Sequence, residues 1–225
     1  MKEYRKKEML WLLLTYFSLF LLWCTSIFEQ MPEDITGYKN IISVAECAII
    51  SGVLCLMVLL GDSLISSQLK DKLVGLLCIP RSGQTVFTRI SNKTVRDDRF
   101  LISDAIFQYS GIIENRPLQK NERFKYENAN WYKIYSEHKK DGAIAQAQTD
   151  YLLCRDLFIE TLEFLFLYII SLLVFNSTVL FSWHFILTLL VMAVITNIST
   201  HVKMNRFVNT VIAIDMAITK NRRIT

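Results

Sequence analysis

Asp156, Glu160 and Glu163 stand at positions i, i+4 and i+7 of one stretch that becomes strongly apolar toward its C-terminal end. In a helix that spacing puts all three on one face. Three like charges on a stripe repel, so something must offset them: Arg155, the basic residues near the C-terminus, or cations. The chemistry such a stripe would support is attraction of cations into a vestibule. The ordinary alternative is a set of paired interfacial carboxylates. Glu46 is a second isolated acid, five residues inside an otherwise uncharged segment, 41–60. At ~1.5 Å per residue it would lie roughly 7–8 Å deep in a bilayer, where a charge costs less than the about 2.5–3.5 kcal/mol of the midplane. It could act as an ion or proton group, or simply reach the outer headgroups. His184, Thr188, Thr196 and Thr200 lie on a four-residue repeat, with Asn197 beside them. They could wall a water-filled path, or the threonines could bond their own helix backbone.

No reaction chemistry accompanies these groups. The sequence contains no G-x-x-x-x-G-K-[ST] phosphate loop, no H-E-x-x-H and no G-x-S-x-G. Cys24, Cys47, Cys55, Cys78 and Cys154 form no C-x-x-C pair, and they read as reduced, buried thiols. The expectation is no catalytic residue, no cofactor and no metal site. The formal charge of +4 comes from interleaved bases and acids without a long basic run, so nucleic acid is not an expected partner.

The elements that must position the polar groups are apolar blocks. The chain is 52% hydrophobic, with only 7 Gly and 3 Pro in 225 residues. That composition argues against a turn-rich membrane β-barrel and against a disordered linker. Met9 to Phe28 carries no formal charge and is long enough to cross the ~30 Å hydrocarbon core. Its apolar core is longer than a signal peptide's, so it reads as a retained anchor. The segment 41–60 is a second span. Between them, residues 29–40 hold three acids and one lysine, a formal charge of −2, which suits an outside loop, while the basic N-terminus suits the inside. Phe164 to Ile198 is uncharged apart from His184 and at ~1.5 Å per residue too long for one crossing. Asn176-Ser177-Thr178 divides it, giving spans at 157–175 and 179–199. Two crossings return the basic tail, 201–225, to the positive side. Ser43, Cys47, Ser51 and Cys55 recur every four residues, with Ala48 and Gly52 as a second small pair. Small residues let helices approach closely in lipid.

Residues 62–156 carry 15 Lys/Arg against 12 Asp/Glu and read as a mainly helical cytoplasmic domain. Leu64, Ile65, Leu69, Leu73 and Leu76 are spaced at three and four, which predicts a continuous stalk to about Leu77. Pro80 to Gly83 reads as a turn. The β-branched and aromatic run Thr85 to Ile90 suits a short strand. Asp97 or Asp98 would cap a helix to Ser110, with Gly111 as its stop. Lys120 to Lys140 reads as a helix whose Phe124, Trp131 and Tyr135 form a candidate core face, more readily than a base-stacking platform. Ala143 to Asp156 runs without a breaker into the third span.

Pro80–Gly83, Phe87, Asp98-Arg99, Asn130-Trp131-Tyr132 with Tyr135, and Tyr151-Leu152-Leu153 with Arg155-Asp156 resemble a pattern in an uncharacterised family of bacterial four-helix membrane proteins. The resemblance covers about residues 70–157, under half of the chain. Where the family has a second proline in the turn, this chain has Ser82. The resemblance implies a bacterial inner-membrane protein of the same layout and implies no activity.

The expected architecture is therefore an all-α membrane protein. An N-terminal hairpin, 1–61, precedes a cytoplasmic domain, 62–156, with room for one small β element. A C-terminal hairpin, 157–200, and a basic tail follow, with both termini cytoplasmic. The expected function is a non-enzymatic sensor or effector. Its cytoplasmic cap would bind a protein or small ligand, and its helices would form a homo-oligomer that alters the membrane in a bacterial stress or phage-defence setting. A small ion channel or transporter subunit is the alternative, and a membrane-anchored enzyme the third.

Overall fold

The computed structural model describes residues 2–24, 37–75, 81–174 and 179–224. The described chain is all-helical, without a strand. Its helices are α1 (Lys2–Trp23), α2 (Gly37–Leu64), α3 (Ser67–Val74), α4 (Val86–Ser91), α5 (Ile102–Gln108), α6 (Ser110–Glu114), α7 (Lys120–His138), α8 (Gly142–Val174) and α9 (Trp183–Ile224). Two of them, α8 and α9, are long and apolar enough to cross a membrane. Residues 48–61 of α2 form a shorter apolar stretch.

The chain divides into two compact units, one of Met1–Val74 with Leu153–Ile198 and one of Gly75–Leu152 with Ser199–Thr225. The first, here the apolar unit, is built from α1, α2, α3 and segments of α8 and α9. Leu13, Tyr16 and Phe20 recur at three and four along α1 and are buried with Leu54 and Val58 of α2, Phe164 and Tyr168 of α8, and Phe185 and Leu189 of α9. Their rings meet edge to face, Tyr168 and Phe185 at 5.0 Å and Tyr16 and Phe164 at 5.3 Å between centroids, the arrangement the ring quadrupole favours. The Tyr16 hydroxyl and Thr161 Oγ1 share a buried hydrogen bond of 2.8 Å. Leu180 N donates to Cys24 O (2.7 Å), and Ser182 N donates to the Tyr168 hydroxyl (2.9 Å), so the chain just before α9 is tied to α1 and α8.

The outside of this unit exposes many large apolar side chains. Trp11, Leu14 and Leu22 are exposed on α1, Ile49, Leu56 and Leu60 on α2, Phe166 and Leu173 on α8, and Leu187, Val191 and Ile195 on α9. A protein surface in water rarely exposes a contiguous apolar area of more than a few hundred Å².

The second, mixed unit has an ordinary core. Phe207, Val208, Val211, Ile212 and Met216 of α9 are buried with Val86, Phe87 and Ile90 of α4, Trp131 of α7 and Ile144 of α8. The stretch 201–225, read from charge as a basic tail, thus supplies the central helix of this core through residues 207–216. The spacing i, i+1, i+4, i+5 and i+9 from Phe207 carries the signal, and it is diluted by Lys203, Arg206 and Lys220 on the other faces.

Four local expectations are corrected. Thr85 to Ile90 is not a strand: residues 86–91 form α4, because Val86, Phe87 and Ile90 reach one core only at helical spacing. The stalk is not continuous. It breaks at Ile65-Ser66, where Ser66 Oγ accepts from Leu69 N (3.3 Å) and starts α3; residues 76–80, including Leu76, Leu77 and Pro80, lie outside the described residues. Asp97 does not cap a long helix. It accepts from Arg99 N (3.1 Å), α5 begins at Ile102, and a break at Tyr109 separates α5 from α6. Phe124 is half-buried beneath Lys120, whose Nζ lies 5.7 Å from its ring centre, and it is not part of the buried cluster.

Candidate functional site

The carboxylate stripe of α8 lies in the apolar unit. Asp156 and Glu160 are fully buried. Asp156 Oδ1 is 3.6 Å from Lys70 Nζ and 3.2 Å from Arg155 Nε. Arg155 Nη1 also donates to Asp71 Oδ1 (3.0 Å) and to Ser67 Oγ (2.9 Å). Asp156, the first acid of the stripe, is therefore offset by Arg155 and by Lys70, which the sequence reading missed. The signal for Lys70 was its place among Leu69, Leu73 and Val74 on an amphipathic helix. Lys203, one of the basic residues near the C-terminus, lies in the mixed unit: its Nζ pairs with Asp150 Oδ2 at 2.9 Å, and that hydrogen bond, despite partial desolvation, holds Asp150 below the usual carboxylate range. Glu163 packs against Gly61, where an added Cβ would come 3.1 Å from its Oε1.

The other groups singled out by sequence separate. Asn197 is buried in the apolar unit and its Nδ2 donates to Val74 O (3.3 Å). His184 is exposed, its ring 6.3 Å from that of Trp23. Thr188 and Thr196 donate to the carbonyls of His184 and Met192, at 2.9 and 2.7 Å, which is the ordinary back-bonding of a helix. Thr200 is buried in the mixed unit. On α2, Ser51 is buried and Cys55 Sγ faces Leu13 O at 3.8 Å. Ala48 is half-buried. Gly52 meets nothing: an added Cβ has no atom within 4 Å. The side chains of Ser43, Glu46 and Cys47 lie outside the described residues.

Trp131 and Tyr135 stack at 5.5 Å and meet Phe207 edge-on at 5.4 and 5.5 Å. They belong to the core of the mixed unit rather than to an open stacking platform. Beside them, buried Glu127 accepts from Thr88 N (3.0 Å) and from the Thr88 hydroxyl. Arg116 donates to the same hydroxyl (3.0 Å) and to Ile113 O (2.8 Å). Gly83 packs closely there: a Cβ would come 3.0 Å from Asn128 Oδ1 and 3.2 Å from Trp131.

Sequence reasoning overlooked a second constellation in the mixed unit, centred on Asp215 of α9. Tyr109 Oη donates to Asp215 Oδ2 (2.6 Å), Gln108 Nε2 donates to the same oxygen (3.0 Å), and His138 Nε2 lies 2.9 Å from Oδ1. Burial first, then the Asp215 carboxylate that accepts its proton, raises the Tyr109 phenol well above its ordinary range. One carboxylate thereby joins α5, the 109 break and the end of α7 to α9. A cleft of about 660 Å³, which shares Gln108 with this constellation, is lined by Asp98, Arg99, Phe100, Asp104, Phe107, Met216, Lys220 and neighbours. Arg99 is committed to Asp97 through Nε (2.8 Å) and Nη2 (2.6 Å), and its Nη1 donates to Thr210 (2.9 Å). The Arg99 hydrogen bonds hold the Asp97 carboxyl below the usual range. Among the described residues no group of three or more His, Cys, Asp or Glu side chains is placed to hold a metal ion.

Comparison with protein-family models, with curated proteins and with solved structures finds no match for this chain.

Proposed function

We propose that this chain is a four-span membrane protein that works as a non-enzymatic sensor or effector. The observation that carries the reading is the outward face of the apolar unit. Trp11, Leu56, Phe166, Leu173 and Val191 point away from the core on four different helices, while Lys70, Arg155, Asp156 and Glu160 are inside. That distribution is stable where the surrounding solvent is hydrocarbon. The spans are 9–28, 41–60, 157–175 and 179–199, in a bacterial inner membrane, with both termini and the mixed unit on the cytoplasmic side. The mixed unit binds a cytosolic protein or small ligand. Its state reaches the bilayer through α8 and α9, each an unbroken helix with residues in both units. The spans assemble as a homo-oligomer and change membrane permeability.

The test is cysteine accessibility in intact cells. Thr36→Cys should react with a membrane-impermeant maleimide from outside, and Ser136→Cys should react only after the cells are opened. Labelling of the Ser136→Cys protein from outside would overturn the topology.

The buried charges of α3 and α8 favour a second reading, a small channel or transporter subunit. Cation flux through liposomes without any added ligand, abolished by Glu160→Gln with Glu163→Gln, would support it over the first.

A further inference from the structure

We propose that Trp23, Phe181, Trp183 and His184 form an interfacial belt, which seats one end of the apolar unit in the glycerol–carbonyl layer of a phospholipid leaflet. This rests on the membrane reading proposed above and adds to it the lipid layer that this end of the unit binds. All four residues lie where α1 ends and α9 begins. Phe181 and Trp183 are 66% and 60% exposed, Trp23 is 36% exposed, and His184 is exposed. The Trp23 and His184 rings stand 6.3 Å apart, so the two helices reach the same level here. The backbone fixes this presentation. Leu180 N donates to Cys24 O (2.7 Å), Ser182 N to the Tyr168 hydroxyl (2.9 Å), and Phe185 N to Ser182 Oγ (3.3 Å). Ser182 and Phe185 are buried, which turns Phe181, Trp183 and His184 outward.

The ring chemistry selects the partner. Farther along α9 the exposed side chains of this unit are aliphatic: Leu187, Leu190, Val191, Val194 and Ile195. At the Trp183 end they give way to rings, three of which carry ring nitrogens on an apolar body. Such rings concentrate at the membrane–water boundary, where the body meets acyl chains and the N–H group bonds lipid carbonyls, phosphates or water. Contact with a second copy of the chain would give no reason for a change from aliphatic to nitrogen-bearing rings at one end. The belt also sets a boundary. It ends the first span near Trp23, short of residue 28, to which the uncharged run extends. Trp11, exposed on the same helix, then lies about 18 Å back along α1, close to the middle of a ~30 Å hydrocarbon core.

The test is depth-resolved quenching of tryptophan fluorescence in liposomes of brominated phosphatidylcholine. One lipid carries bromine near the carbonyl end of its acyl chains, the other near the methyl end. Trp131, buried in the core of the mixed unit, stays in every protein as a constant background. Trp11→Phe with Trp183→Phe keeps Trp23, Trp11→Phe with Trp23→Phe keeps Trp183, and Trp23→Phe with Trp183→Phe keeps Trp11. The three sites are exposed, and an unchanged thermal midpoint shows that each variant folds. Trp23 and Trp183 should lose roughly twofold more emission to the shallow bromines than to the deep ones, and Trp11 should show the reverse order. Stronger quenching of Trp23 and Trp183 by the deep bromines would overturn the belt. So would their escape from both lipids while Trp11 is quenched, because protein would then cover them. No quenching of Trp11 by either lipid would sink the membrane reading itself, so the two failures are distinguishable.

Discussion

Lys70 Nζ stands 3.6 Å from Asp156 Oδ1, with the lysine side chain 5% exposed and the aspartate wholly buried. Charges withdrawn from water this completely persist only when paired. Lys70→Met should therefore destabilise the protein by about 3–5 kcal/mol, toward the lower end because Arg155 still faces Asp156. Adding Asp156→Leu should recover much of the loss. Thermal unfolding in mild detergent reads both, and a Lys70→Met protein as stable as wild type would show that the pair contributes nothing.

Glu160→Gln with Glu163→Gln keeps shape and removes charge from the same helix face. If the stripe draws cations, the double variant should reduce cation flux in liposomes while helical content and midpoint stay near wild type. A loss of stability without a selective change in flux would mark the two residues as structural partners instead.

Ser51 and Gly52 are neighbours on α2 with opposite surroundings. Ser51 is fully buried, and a Cβ at Gly52 meets nothing within 4 Å. Ser51→Leu should cost about 1–3 kcal/mol by overpacking. Gly52→Leu should leave the midpoint unchanged or raised, since leucine is the better helix former by several tenths of a kcal/mol. Equal destabilisation of the two would mean that Gly52 is covered by another copy of the chain.

The raised phenol of Tyr109 sets a pH dependence. Its proton is held more tightly in the folded protein than in the unfolded chain, where tyrosine titrates near ~10. The corresponding stability is fully present below pH ~10 and declines as pH rises above it toward the folded value. Tyr109→Phe should be less stable by about 1 kcal/mol at neutral pH and should fall less steeply above pH ~10. Urea unfolding of the two proteins between pH 8 and 11 tests this, and parallel curves would reject it.

Long apolar runs were legible because solvent preference accumulates along contiguous residues. The helical identity of 142–174 and the length of the uncharged block 164–198 follow from composition alone. So does the need for a partner on the Asp156–Glu163 stripe, which is a matter of charge spacing within one helix. Short segments were not legible in this way. Residues 86–91 have strand-like composition and are helical because Val86, Phe87 and Ile90 fill a core that residues 207–216 complete from the far end of the chain.

The sequence by itself determined the long apolar helical runs and that the acids on α8 require an offsetting charge, though not that α9 continues beyond its apolar part to Ile224. Tertiary structure alone decided which bases supply that charge. Lys70 lies in a helix remote in sequence from Asp156, and Asp215 gathers Gln108 and Tyr109 from one place and His138 from another. Periodicity within one helix says which residues share a face. It carries no information about which other face arrives opposite, and at a buried charge that arrival sets the energy.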